Sequence, residues 1–565
     1  MNKAYDTLSI FLCRRVKKIM KDIIITIFIL TQSLVISAND NLNMKSLYKK
    51  YLTFNKNNIP IVKIGISETK KNIKIKILEN IKINKINIPK NEEIEIRHTI
   101  INKGDYSLWL IFDKYPYNIK PNLALYQKYI NKLSNLKNKK LEVAHIGNLS
   151  VINGNIIDIR RQLIIFGPFK NKIEAQRIKQ KLYIDLRLKT EFYAKIKTYP
   201  SAEITVRYKN KIISKNNNIL RLDANSLELV NLDWGFIKKK KITLRARGEL
   251  IFTINLNQKL TIVNKIDIET LLKGIIPAEI FASAPKEALK AQAVAARSDI
   301  LAKIGTRHFL DPFDICGNQH CQVYKGKTIE NKKTNKAIKN TKGMVLIDKE
   351  GIIDAYYSAN SGGYTENNEN VWLARSRISL RGRDDFIDWN NSGIFMIGIT
   401  NSNLKKFIDS PPKTYSQESS YSREGVFRWK KTYNIDKLNN FIKKYLKKYK
   451  INKKCLLKDL KPKGRGVSGR LMALRVICKN SKGNFTVYGE LQIRRFLGSL
   501  KSAMFYMNKT YNNKKQLNKI EFIGGGWGHG VGMCQTGAIG MAEYKKSFKE
   551  ILTHYYTNSK LKKLY

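Results

Sequence analysis

Apolar and polar residues alternate with period two through Ile61-Val62-Lys63-Ile64-Gly65-Ile66 and Ile73-Lys74-Ile75-Lys76-Ile77. That spacing sends successive side chains to opposite faces of an extended chain. From Ile59 to about Phe112 the pattern predicts short strands, within a β-rich amino-terminal region over residues 39–150. The continuous apolar run Leu163-Ile164-Ile165-Phe166 predicts a buried strand ended by a Gly167-Pro168-Phe169 turn, after which Ile173, Ala175, Ile178 and Leu182 share roughly one helical face. Strand patterns return from about Ile204 to Ile268, including Ile242-Thr243-Leu244 and Leu260-Thr261-Ile262-Val263. Pro285 then suits the first turn of a helix, and the Ala-rich run from Glu287 to Lys303 stops at Gly305. Residues 384–450 are polar and irregular, turning helical from Ile435 to Tyr449, and read as an insertion or peripheral lobe. The expected fold is α+β: a mixed β core with the Ala288-containing helix packed on it, preceded by the β-rich region.

A chain of 565 residues exceeds one ordinary domain. Its formal charge of +60, from 105 Lys+Arg against 45 Asp+Glu, raises nucleic acid, anionic membrane or an acidic polymer as partner. The lysines are spread along the whole chain with Asn and Ile, as a compositional bias would spread them, and no nucleic-acid motif accompanies them, so nucleic acid is not expected as a partner. Arg14, Arg15, Lys17, Lys18 and Lys21 precede an apolar run from Ile23 to Ile36 that closes on Ser37-Ala38. This is the layout of a secretory signal peptide over residues 1–38, and it implies an exported protein of the periplasm or cell wall. Left uncleaved, the same segment would anchor the chain in a membrane. Six cysteines are too few for a disulfide scaffold; Cys13 lies in the signal region, and buried packing is the default for Cys455, Cys478 and Cys534.

One carboxylate stands in a setting suited to chemistry. Glu279, in Gly274-Ile275-Ile276-Pro277-Ala278-Glu279-Ile280, has the apolar neighbours Ile276, Ile280 and Phe281 and lies just before the Ala-rich helix. Apolar surroundings penalise the charged form and raise the pKa, as a general acid near neutral pH requires. A helix amino terminus nearby would oppose this. His308, Cys316, His320 and Cys321 are ligand types suited to tetrahedral zinc; the alternatives are a Cys316–Cys321 disulfide or free thiols. Four protein ligands would leave no open position, so such a zinc would be structural and not required for the chemistry. Gly526, Gly528, Gly530 and Gly532 alternate strictly, which in an extended segment would put Trp527, His529, Val531 and Met533 on the opposite face.

Four blocks, in order, resemble the stage II sporulation protein D (SpoIID, amidase enhancer) family: Gly274 to Arg297, Phe313 to Tyr324, Ala355 to Glu366, and Gly526 to Gln535. The resemblance runs from about Leu220 to Tyr565, and implies a SpoIID-type domain over 204–565 carrying the insertion. It further implies a lytic transglycosylase that cleaves peptidoglycan between N-acetylmuramic acid and N-acetylglucosamine in strands already stripped of stem peptides, leaving 1,6-anhydro ends. Glu279 occupies the family's catalytic position, with Ile280 where Met is usual, and Cys534 stands where Ser is usual. Substrate contacts are then expected from Trp527, His529 and Gln535 and from the turn block with Tyr356, Tyr357, Ser361 and Gly362. Arg297 is expected to approach the lactyl carboxylate of peptide-free muramic acid. The same resemblance carries a second expectation, a noncatalytic wall-binding activator of an amidase. Residues from Arg160 to about Pro200 also resemble a sporulation-related repeat, a peptidoglycan-binding module assigned here to 155–203; the alternative is a plain βαβ element of the larger fold.

Overall fold

The computed structural model describes residues 43–131, 139–186, 188–234, 240–372, 374–388 and 393–565. The expected signal segment, with Cys13, lies outside them. The fold is α+β with 39% strand against 26% helix, so sheets form the framework on which the helices pack. Among the described residues no helix is long and apolar enough to cross a membrane.

Strands predicted in the amino-terminal region do not form a unit apart. Pro60–Thr69 lies between Thr53–Phe54 and Leu260–Asp267 in a sheet that continues to Glu249–Ile254 and Leu220–Asp223. A second sheet runs Lys211–Asn217, Ser201–Tyr208, Glu93–Asn102, Ile73–Ile77, Leu227–Trp234 and Lys240–Arg245. Residues near 60–100 and near 200–267 therefore complete each other's sheets, and Ile64, Ile75, Ile96, Ile204, Leu229 and Ile262 share one core. The boundary expected near 204 falls inside this framework, because alternation specifies a buried face but not which strand covers it.

Between the two halves sits a separate antiparallel sheet ordered Glu191–Thr198, Asp105–Pro116, Arg161–Phe169, Lys140–Ile146. With the helices Leu123–Asn131 and Lys172–Leu186 it makes a β-α-β-β-α-β unit with strand order 4-1-3-2, the split-βαβ arrangement. The segment 155–203 is thus mainly the second half of a longer unit. Leu108, Leu110, Phe112, Ile164 and Phe166 face the two helices. Trp109, Ile111, Leu163 and Ile165 face the other way and pack on Phe309, next to His308.

The helix Lys286–Lys303 is buried along nearly its whole length, from Ala288 to Lys303. Alanines at 288, 291, 293, 295, 296 and 302 let the helices Lys332–Asn340, Gln535–Glu543 and Phe548–Tyr555 approach it closely.

Arg428–Asn434 pairs along its length with Leu517–Gly525. Trp429, Leu438 and Ile442 share a core with Leu474, Val487 and Phe522. The expected insertion at 384–450 therefore extends beyond that range: its last part belongs to a lobe reaching residue 525. Cys455 and Cys478 are joined by a disulfide in this lobe, Cα to Cα 5.2 Å, which corrects the packing role expected for both. The bond closes a separation of 23 residues. Serine at both positions is expected to lower the unfolding free energy by about 3 kcal/mol, measured by denaturant titration without reductant; an unchanged midpoint would contradict a stabilising role.

Candidate functional site

Glu279 ends the four-residue helix Ile276–Glu279. Its Oε1 accepts a hydrogen bond from the Val323 N–H at 3.0 Å. Its backbone carbonyl accepts from Gln535 Nε2 at 3.0 Å, and the same nitrogen reaches Gln292 Oε1 at 3.2 Å. Gln292 rises from the long helix and Gln535 opens another, so two rigid elements hold the backbone of Glu279, while its carboxylate is held by the Val323 N–H. Ile276 and Ile280 are buried around it, whereas Phe281 is 43% exposed and turns outward. Burial pushes the Glu279 carboxyl above the ordinary range, against the opposing pull of the Val323 N–H, Lys303 and Lys325. The opposition expected from the long helix is weak on geometric grounds: that helix starts only at Lys286. Among the described residues, no second carboxylate is hydrogen-bonded to Glu279.

A polar relay backs the site. The Tyr357 hydroxyl donates to Gln322 Oε1, the Gln322 amide donates to Asp299, and Lys303 pairs with Asp299. Lys303 Nζ also donates to the Cys321 carbonyl at 3.2 Å. Tyr357 stays a neutral phenol: burial raises its pKa, and the charges of Glu279 and Asp299 add to that. Gln292, Asp299, Lys303 and Gln322 were not expected here. Their signal is polarity inside an apolar setting: Gln292, Asp299 and Lys303 interrupt the buried helix, the last two four residues apart.

Arg297 does not join this cluster. Its fully buried guanidinium forks onto Glu269, Nε to Oε1 at 2.8 Å and Nη2 to Oε2 at 2.7 Å, and donates to the Met344 carbonyl at 3.0 Å. Ser361 and Gly362 are likewise turned inward and corrected to supporting roles. The Ser361 N–H donates to Cys534 Sγ at 3.1 Å, and the Gly362 carbonyl accepts from Arg428 at 3.0 Å. Cys534 Sγ also accepts from the Gly537 N–H at 3.2 Å, so the thiol caps the following helix. Tyr356 donates to Asp354 at 2.5 Å, and its ring packs on Trp372 with centroids 4.3 Å apart.

The glycine-rich segment is not an extended strand. Gly526, Gly528, Gly530 and Gly532 all have positive φ, from 68° to 110°. The alternation comes from a winding loop pressed onto other backbone: a Cβ on Gly532 would lie 2.1 Å from the Tyr356 carbonyl, and one on Gly530 2.5 Å from the Arg470 guanidinium. Trp527 projects from this loop, 46% exposed. His529 instead turns toward Tyr356 and Trp372, and its Nδ1 accepts from the Val531 N–H at 3.0 Å. Burial drives its pKa down to about 3, which keeps the ring neutral near pH 7.

His308, Cys316, His320 and Cys321 come together, each offering one ligand atom, all within 4.8 Å of one another. His308 Nε2 lies 3.2 Å from Cys321 Sγ, and His320 Nδ1 lies 3.5 Å from both sulfurs. Tetrahedral zinc with bonds of about 2.0–2.3 Å sets ligand atoms roughly 3.3–3.8 Å apart, so the donor set fits. Both thiols are free. Asp311 Oδ2, 2.9 Å from His308 Nδ1, turns the other ring nitrogen toward Cys321. Cys316 is fixed by parallel pairing opposite Gly65.

Residues 256–347 match the family model described as Stage II sporulation protein, and residues 366–532 match a domain of unknown function, DUF8618. The chain is similar to the amidase enhancer of Bacillus subtilis, 31% identical over 303 residues, a stretch covering 51% of this chain and 40% of that protein. It is similar to stage II sporulation protein D of Bacillus amyloliquefaciens, 28% identical over 309 residues, 52% of this chain and 74% of that one. An uncharacterized protein of Brachyspira hyodysenteriae is 28% identical over 390 residues, 68% of this chain and 92% of its own length.

Proposed function

The chain belongs to the stage II sporulation protein D family, and on that premise we propose that it is a peptidoglycan lytic transglycosylase acting on peptide-stripped glycan strands. The observation that carries this reading is a carboxyl group with a burial-raised pKa, hydrogen-bonded to one backbone N–H and to no other carboxyl group among the described residues. Hydrolysing glycosidases use a second carboxylate as nucleophile or to activate water. A muramic acid residue can supply its own nucleophile, the 6-hydroxyl. Protonated Glu279 gives its proton to the glycosidic oxygen as the C1–O bond breaks. The 6-hydroxyl oxygen then bonds to C1, its proton passes to the Glu279 carboxylate, and the acid is regenerated without water being consumed. The Tyr357–Gln322–Asp299–Lys303 relay ties Tyr357 and the chain beside Val323 to the long helix. The name of the Bacillus subtilis relative favours a second reading, a noncatalytic protein that stimulates an amidase. Mass spectrometry of peptide-free strands after incubation separates the two: anhydro-ended fragments support the enzyme, whereas bound but intact strands with a stimulated amidase support the enhancer.

We further propose that His308, Cys316, His320 and Cys321 hold a structural zinc. Bound there, the metal crosslinks the loop whose Val323 N–H supports Glu279. Protein purified without chelator is expected to carry about one zinc per chain, and Cys316→Ser to lose most of it together with turnover. Full metal content in that variant would remove the site. Export through the 1–38 segment belongs to the same proposal, and the Cys455–Cys478 disulfide is the bond an oxidising compartment favours.

A further inference from the structure

Phe281 lies two residues beyond Glu279 and faces outward. Its ring packs on Tyr421 with centroids 5.3 Å apart, and the Arg423 guanidinium lies over it at 4.6 Å. The Tyr421 hydroxyl donates to Ser283 Oγ at 2.8 Å, which ties the loop carrying both residues to the Glu279 segment. Farther along that loop, Lys501 Nζ donates to the Gly425 carbonyl and stands 5.4 Å from the centre of the exposed Trp527 ring. The loop is closed onto the glycine-rich segment by the Gly526 N–H, which donates to the Phe427 carbonyl at 3.0 Å. Two exposed aromatic rings, Phe281 and Trp527, thus each carry a cation, Arg423 and Lys501, and residues 421–427 link the two pairs, with Phe281 two positions from Glu279.

Exposed aromatic rings offer flat apolar faces of the kind that cover the C–H face of a pyranose. Arg423 is exposed, and among the described residues no carboxylate pairs with it. Seated on a ring, its guanidinium keeps its N–H edge free for a planar anion, where two parallel hydrogen bonds form. Muramic acid presents such an anion once its stem peptide is gone: the lactyl carboxylate. With the peptide attached, the same position is a neutral amide followed by bulk.

Resting on the transglycosylase reading of the site, we propose that Arg423, seated on Phe281 and assisted by Lys501, is the group that selects peptide-stripped glycan by binding the free lactyl carboxylate. This is the specificity role that the buried Arg297 cannot fill.

The test is equilibrium binding in an E279Q background, so that no ligand is consumed. The probes are a peptide-free N-acetylglucosamine–N-acetylmuramic acid tetrasaccharide and an N-acetylglucosamine tetramer of equal length, which lacks the lactyl group. The muramyl ligand is expected to bind at least about tenfold more tightly at low salt, as one charge-assisted bidentate contact allows. R423Q should bring the two affinities within about twofold, R423K should retain part of the preference, and F281A, which removes the ring that seats Arg423, should weaken both ligands and narrow the preference. A tenfold preference that survives R423Q overturns the proposal, as does failure of the folded E279Q protein to bind the muramyl ligand. Because the readout is binding, absence of anhydro products from the wild type would sink the transglycosylase reading and leave the carboxylate preference to be judged separately.

Discussion

Glu279→Gln is expected to cut the formation of anhydro ends by roughly three orders of magnitude, the scale of a lost general acid and base, while glycan binding changes by no more than about threefold. Glutamine keeps the shape of the side chain, and its amide oxygen can still accept from the Val323 N–H, so the backbone at 276–280 has no reason to move. What disappears is the exchangeable proton. The pH profile carries the same logic with a defined sign. A carboxyl whose folded pKa is raised holds its proton to higher pH than a free glutamate, and wild-type turnover falls only as pH climbs through that raised value. Lys325→Met removes one of the positive charges that pull the pKa down, so it should move this limb to higher pH. His529 should contribute no limb near neutrality, because burial keeps it neutral down to about pH 3. Loss of glycan binding in E279Q, rather than of turnover, would mark Glu279 as a contact residue only.

Arg297→Met is expected to destabilise the fold by about 3–5 kcal/mol, read as a shifted denaturant midpoint. The substitution leaves Glu269 buried beside an apolar chain, still accepting from the Tyr565 hydroxyl at 2.7 Å and the Gly343 N–H at 3.2 Å but without its counter-charge. Adding Glu269→Gln should recover a large part of the loss, since the orphaned charge is then gone. A residue contacting substrate would behave in the opposite way: weaker glycan binding, an unchanged midpoint and no rescue from position 269.

These two residues mark where sequence patterns are and are not sufficient. Glu279 is legible because a lone carboxylate amid isoleucines, just before a proline-led helix, is locally unusual. Arg297 sits eighteen positions on, on a helix that alanines make buried on nearly every side, and nothing within the helix says that Glu269 waits across the interface. The period-two runs from Ile61 to Ile77 announce strands, yet on one side each strand is completed by a partner more than a hundred residues away. The glycines at 526–532 illustrate a different failure. Their period of two matches a pleat, but it arises from positive φ and from contacts with Tyr356 and Arg470 that only the folded chain brings near. Cys455 and Cys478 face the same difficulty, since their pairing depends on how the strand Leu471–Cys478 meets the chain that precedes Leu457. The four metal-type ligands were legible as a set because three of them fall within six residues and the fourth lies just upstream.

On the proposed mechanism Glu279 works with a nucleophile supplied by the sugar and not by water. Cleavage of peptide-free strands in water enriched with oxygen-18, followed by mass spectrometry of the new ends, tests it most directly. The expected products are 1,6-anhydro ends free of the heavy isotope. Reducing ends carrying one oxygen-18 would contradict it, because they would require water to have attacked the anomeric carbon.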